Sequence, residues 1–208
     1  MTSKIVLAIS LFILILLTWY TKTEIVTERE IVNFYSTQLS YEQIEQILAG
    51  QKKWEWLGYL FIPIFYLLKL SLVTLCVYTG ILLLNIKNIS WNKIFGVVVI
   101  ADMIFLIPSI IKMAWFTFKS DYTLEDVQYF LPGSMLNIFD PKLLEPWLIY
   151  PIQSLNIWEL AFWIALAVGL KKYLDGDFYR SMSLVAGTYG AGLVIWVVFV
   201  TFLTLNFT

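Results

Sequence analysis

The chain has 208 residues, 60% of them hydrophobic and 14% charged, with a net charge of −1. A soluble domain carries roughly a quarter charged residues and has too little interior to hide so much apolar surface, so the excess must face lipid. The near-neutral charge, with no basic stripe, excludes nucleic acid as a partner; the absence of histidine and the single Cys76 remove the commonest general base and metal ligand and any internal disulfide.

Lys4 precedes an apolar run over 5–20 that ends in Trp19 and Tyr20. No small-x-small cleavage site follows, and the two aromatic residues suit an interface. The run reads as an uncleaved span, with a cleaved signal peptide as the alternative. Residues 21–55 form a polar but structured loop. Its first half, 24–35, extends the first span as a helix. Ser40 and Gln43 complete an S-x-x-Q capping box, Leu39 and Ile44 hold the staple positions, and Glu42 favours the positive helix end. Gly50, followed by Lys52 and Lys53, closes a short amphipathic helix over 41–49.

Two spans follow, 58–84 and 94–116, joined by a basic turn over 85–93. Pro63 and Pro108 stand inside them, where proline kinks a helix or starts its buried part. Residues 59, 62, 66, 69, 73 and 76 share one stripe of the first. It carries Tyr59, Tyr66, Lys69 and Cys76 and faces protein or water. Asp102, Ser109 and Lys112 fall near one face of the second.

An ionisable group at membrane depth is a functional hypothesis by default. Tyr66, Lys69, Asp102 and Ser109 form the candidate intramembrane polar site. Rise along each helix puts Asp102 roughly 13 Å from Lys93 and Lys69 roughly 27 Å from Lys87, which offsets the charges in depth. Direct pairing, snorkelling of Lys69 to an interface, and a transport or relay role all remain open.

Residues 119–155 are acidic and aromatic. Thr123 with Asp126 resembles a cap, Leu131-Pro132-Gly133 a turn, and Asp140-Pro141 the start of a short helix. Pro146 and Pro151 break that helix, and the segment re-enters the interface or caps the bundle. Asn156 and Glu159 have capping spacing ahead of a span at 157–173. A last span covers 182–205. Ala161, Ala165 and Gly169 recur every fourth residue in one, and Ser183, Gly187 and Ala191 in the other, with Ala186 and Gly190 alongside. Small residues at this spacing let helices approach closely in lipid, so the two spans are expected to pack through these ladders.

The short turns hold Lys87, Lys93, Lys171, Lys172 and Arg180, and the positive-inside rule places them in the cytoplasm with Lys4. Lys22, Arg29, Lys52 and Lys53 oppose this. The resulting fold class is all-α: a polytopic membrane bundle of five spans in one domain, with structured loops 21–55 and 119–155 outside. Its N-terminus is cytoplasmic and its C-terminus external, in a bacterial inner membrane.

The chain contains no phosphate-binding loop, nucleophile elbow or cysteine–histidine metal set. Asn88-Ile-Ser90 and Asn206-Phe-Thr208 match the glycosylation triplet. Asn156-Ile-Trp-Glu-Leu-Ala-Phe-Trp, then Gly169-Leu170, a polar turn and a helix containing Tyr189-Gly190, is similar to the end of the Yip family. The resemblance covers about the last 60 residues and implies five spans with a cytoplasmic N-terminus. Eukaryotic members of that family act in vesicle trafficking with Rab GTPases. The acidic, Gly-Pro-containing approach to the first span is absent here, and a long loop separates spans one and two. The expected function is a non-enzymatic scaffold or interaction subunit without cofactor, its partners the lipid bilayer and other membrane subunits. The alternative is a transporter or permease subunit with a polar path through Lys69 and Asp102.

Overall fold

The computed structural model describes residues 2–36, 38–86, 89–119 and 121–207. Lys87 of the first basic turn, Asn88 of one triplet and Thr208 of the other lie outside them. The chain is 85% helix, with no strand among the described residues. Four helices among these residues are long and apolar enough to cross a membrane: Ser3–Ile25, Tyr41–Leu83, Trp91–Phe118 and Phe178–Phe207.

Helix α1 (Thr2–Tyr20) runs into one π-helical turn, Thr21–Ile25. The expected continuous extension is corrected here. The chain breaks at Val26, and Thr27 caps a separate helix α2 (Glu28–Tyr35), accepting from the Glu30 N–H at 3.4 Å. A T-x-x-E start signal was present at Thr27 and Glu30.

Helix α3 (Tyr41–Leu83) is 43 residues long. Its capping box forms as read: the Ser40 N–H donates to Gln43 Oε1 at 3.0 Å, and the Gln43 N–H to Ser40 Oγ at 3.4 Å. The expected stop at Gly50 does not occur. Positive φ among the glycines is confined to Gly133 and Gly176, and without a left-handed residue the helix continues at a cost of about 1 kcal/mol for glycine. Lys52 pairs instead with Glu28 on α2 at 2.6 Å, and Glu55 with Lys22 at 2.6 Å.

The third membrane helix comprises α4 (Trp91–Asp102), a 3-10 turn (Met103–Phe105) and α5 (Leu106–Phe118). Pro108 has no N–H for the Ile104 carbonyl, and its ring crowds the preceding turn. The backbone tightens to 3-10 over Met103–Phe105, directly after Asp102 and in the turn that precedes the proline. Half of the most apolar stretch of this helix is buried, against 6% of that of Phe178–Phe207, so it is the central post of the bundle.

The segment 121–155 is built from short pieces: α6 (Leu124–Tyr129), two 3-10 turns, and α7 (Pro146–Ser154). Thr123 and Asp126 cap α6 reciprocally, and Asp140 accepts from the Lys142 N–H at 3.0 Å. Pro146 opens α7 rather than breaking a helix, because the first helical position needs no N–H donor, and Pro151 lies inside α7. The segment is tied down: Met135 N donates to Leu155 O at 2.9 Å, and Trp158 Nε1 to Pro132 O at 2.6 Å. Tyr150 on α7 accepts from Trp196 Nε1 at 2.8 Å; burial pushes its phenol above the ordinary range, which keeps it protonated.

Helix α8 (Ile157–Leu170) has 14 residues, continued by a 3-10 turn Lys171–Tyr173. Its own α-helical length of about 21 Å falls short of a ~30 Å hydrocarbon core. The last membrane helix joins α9 (Phe178–Val185), a π-turn Ala186–Gly190 and α10 (Ala191–Phe207). The core lies where α3, α4, α8 and α9 meet, around Leu70, Val77, Val98, Phe162, Leu166 and Val185.

The small-residue ladders do not mate as expected. Gly169 faces α4, where an added Cβ would lie 2.5 Å from Val97 Cγ1. Ala161 and Ala165 are half-buried, whereas Ser183, Gly187 and Ala191 are exposed, and a Cβ on Gly187 would meet nothing within 4 Å. The close approaches use other glycines. Gly80 of α3 receives Leu184 and Thr188, Gly190 receives Trp163 of α8, and Gly192 receives Cys76 Sγ. A four-residue repeat shows that a helix has a smooth face, not which neighbour fills it.

Candidate functional site

The candidate polar site assembles around Asp102. Its carboxylate is 3% exposed, and Lys69 Nζ lies 2.6 Å from Oδ1. The contact is an ion pair without aligned hydrogen-bond geometry at Oδ1. The Lys69 ammonium also sits 4.2 Å from the Phe105 ring centroid, a favourable cation–π distance. One turn from Lys69, buried Tyr66 donates to Ser10 Oγ of α1 at 3.1 Å and interacts electrostatically with Asp102. Ser10 in turn donates to the Leu7 carbonyl. The site therefore ties the first three membrane helices together.

The depth offset expected between Lys69 and Asp102 does not separate them. That estimate counted turn residues as if they rose along a helix. Measured from the real helix ends, Leu83 and Trp91, the two Cα levels are about 21 and 16 Å from the turn. The remaining difference of about 5 Å is within reach of a lysine side chain. Of the candidate residues, Tyr66, Lys69 and Asp102 come together and Ser109 does not. Ser109 lies about two turns further on; its hydroxyl donates to the Phe105 carbonyl at 3.1 Å, and it lines a separate cavity.

A second polar cluster lies outside the candidate residues. The sequence marks Glu159 as a capping residue, and its N–H does donate to Asn156 Oδ1 at 2.9 Å. Its carboxylate also accepts from Tyr189 Oη at 2.6 Å and Trp163 Nε1 at 3.0 Å. The π-turn Ala186–Gly190 carries Tyr189 to this contact, and Tyr189 also packs edge-on against Phe162. The i, i+4 spacing of Glu159 and Trp163 was visible; the third partner, 30 residues away, was not. Phe162 touches Phe105, so aromatic contacts run from this cluster to the Lys69–Asp102 pair.

Chemically, both clusters satisfy their carboxylates: buried Asp102 has a counter-charge, and half-buried Glu159 has two hydrogen-bond donors. No group of three or more histidine, cysteine, aspartate or glutamate side chains that could hold a metal occurs among the described residues. Between Asp102 and the 84–90 turn the interior is mostly apolar: Val77, Ile81, Ile94, Val98, Leu166 and Leu170 are buried, and the buried hydroxyls of Thr74 and Ser181 donate to the Leu70 and Asp177 carbonyls of their own helices. No family model, curated protein or solved structure matches the chain.

Proposed function

We propose that this protein is a non-enzymatic integral membrane scaffold, an interaction subunit of a membrane complex, whose last helix receives a partner helix. One observation carries the reading. The ladder Ser183, Gly187 and Ala191 is exposed, and a Cβ on Gly187 would meet nothing within 4 Å, while the other face of the same helix, with Leu184, Val185 and Tyr189, is buried in the core. Close helix packing in lipid uses such smooth faces, and this chain leaves the face unfilled. In this reading α8 with its 3-10 extension completes a fifth crossing, loops 21–55 and 119–155 lie outside, and the N-terminus is in the cytoplasm of a bacterial cell. The relation to the Yip family is one of architecture.

The closed ion pair supports the scaffold over a transporter. Lys69 and Asp102 neutralise each other and brace three helices, and the layer beyond Asp102 is mostly apolar, its buried Thr74 and Ser181 hydroxyls already donating to their own helix backbones. The test is mild-detergent extraction from native membranes followed by size analysis and mass spectrometry. Wild type should elute in an assembly larger than its 24.2 kDa mass, and Gly187→Leu should elute smaller while remaining folded. Wild type purifying alone and monodisperse would refute the proposal.

A further inference from the structure

The cavity that Ser109 lines has a volume of about 390 Å³ and lies between the outer part of α1, its π-turn and α5. Lys112 reaches it from α5, about 15 Å beyond Asp102 along the helix, hence towards the membrane face opposite the 84–90 turn. Lys112 is half-buried, and among the described residues no carboxylate or hydrogen-bond partner meets its ammonium. Lys22 also lines the cavity but is already paired with Glu55. The lining therefore carries two lysines and no carboxylate. Thr21 adds a hydroxyl beside them, whereas the Thr18 and Ser109 hydroxyls donate to their own helix backbones. The remaining wall is apolar, including Leu14, Leu17 and Phe116.

An ammonium half-removed from water without a counter-charge is costly. Every other intramembrane charge described above is compensated from within the chain. A ligand that completes this site must bring an anionic oxygen group to Lys112 and apolar matter to the leucine and phenylalanine wall. Both properties belong to a phospholipid, whose phosphate sits at the depth where a basic pocket between membrane helices meets the headgroups.

We propose that this cavity is a binding site for the phosphate headgroup of an anionic membrane lipid, with Lys112 as the counter-charge and the α1–α5 crevice holding the start of an acyl chain. Charge-assisted contact to phosphate is the strong component, and the apolar wall distinguishes a lipid from free phosphate.

The test is native mass spectrometry of the full-length protein in detergent, titrated with phosphatidylglycerol, with diacylglycerol of the same chains, or with inorganic phosphate. Wild type should retain one phosphatidylglycerol, bind diacylglycerol at least about tenfold more weakly, and not release the lipid to inorganic phosphate. Lys112→Gln should lose retention by at least about tenfold while its melting temperature without added lipid stays no lower than wild type, and Lys112→Arg should keep the lipid. Lys53→Gln, on an exposed surface, should match wild type. Equal retention by Lys112→Gln, equal binding of diacylglycerol, or displacement by inorganic phosphate would each overturn the proposal. If Lys112→Gln does not fold, the wild-type titration and Lys112→Arg still decide it.

Discussion

Lys69 and Lys112 are two lysines on membrane helices with opposite solutions to the same problem. Lys69 meets Asp102 at 2.6 Å and the Phe105 ring at 4.2 Å, so its charge is answered inside the chain. Lys112 lines a cavity with no carboxylate in its wall and is answered by none of the described residues. The first arrangement holds helices together. The second needs something from outside. A charge in the membrane is informative less by its depth than by whether the fold supplies its partner.

The sharpest way to break this contrast is to make Lys69 resemble Lys112. Asp102→Asn should lower unfolding stability in detergent by about 3 kcal/mol, the lower end for breaking a buried pair because Lys69 is partly exposed. Thermal or denaturant unfolding reads it, and a wild-type midpoint would remove the clamp from the account. Lys112→Gln, by contrast, should not lower the midpoint measured without added lipid.

The next effect concerns the glycines. Gly169→Leu would press on Val97 and should cost about 1–3 kcal/mol by overpacking. Gly187→Leu should be near neutral for the isolated chain and visible only in assembly. Equal destabilisation by both would mean that the last helix is packed within the chain at Gly187 after all.

Tyr189→Phe removes one donor from Glu159 and keeps the ring, so about 1.5 kcal/mol is expected from a hydrogen bond to a charged group. Trp163 should still hold the carboxylate, and its fluorescence reports whether it does. Ser40→Ala removes half of the capping box and should cost about 1 kcal/mol, seen as faster amide exchange confined to the first turns of α3.

The smallest effect is on the surface. The Glu125 carboxylate, hydrogen-bonded to Lys142, holds that ammonium above its ordinary range. A raised lysine contributes below its unfolded pKa of about 10.4, and the contribution is lost as pH rises through the folded value. Any melting difference between wild type and Lys142→Gln should therefore be present at pH 7 and absent in strong alkali.

Much of the fold was legible because its signals are local. Capping pairs Ser40–Gln43, Thr123–Asp126 and Asn156–Glu159 all form, since each needs only four consecutive residues. Composition located the membrane helices for a similarly local reason. What failed was longer-ranged. Gly50 resembles a helix stop, but a stop also needs a left-handed backbone that the sequence does not reveal. The Lys69–Asp102 contact depended on how many turn residues failed to rise, a few residues deciding between apart and together. The ladder on the last helix was visible while its neighbour was not. Glu159 showed its cap but not its contact with Tyr189, which a π-turn brings round. Lys112 was seen on a face with Asp102, although the cavity beside it is made by α1, far away in sequence.

The central claim is that Lys69 and Asp102 form a closed structural pair. A double-mutant cycle tests it most directly: unfolding midpoints of Lys69→Met, Asp102→Asn and the double variant, in one detergent. A coupled pair predicts that each single variant loses stability and that the double variant recovers at least about half of the summed loss. Strictly additive losses would show that the two charges do not act on each other.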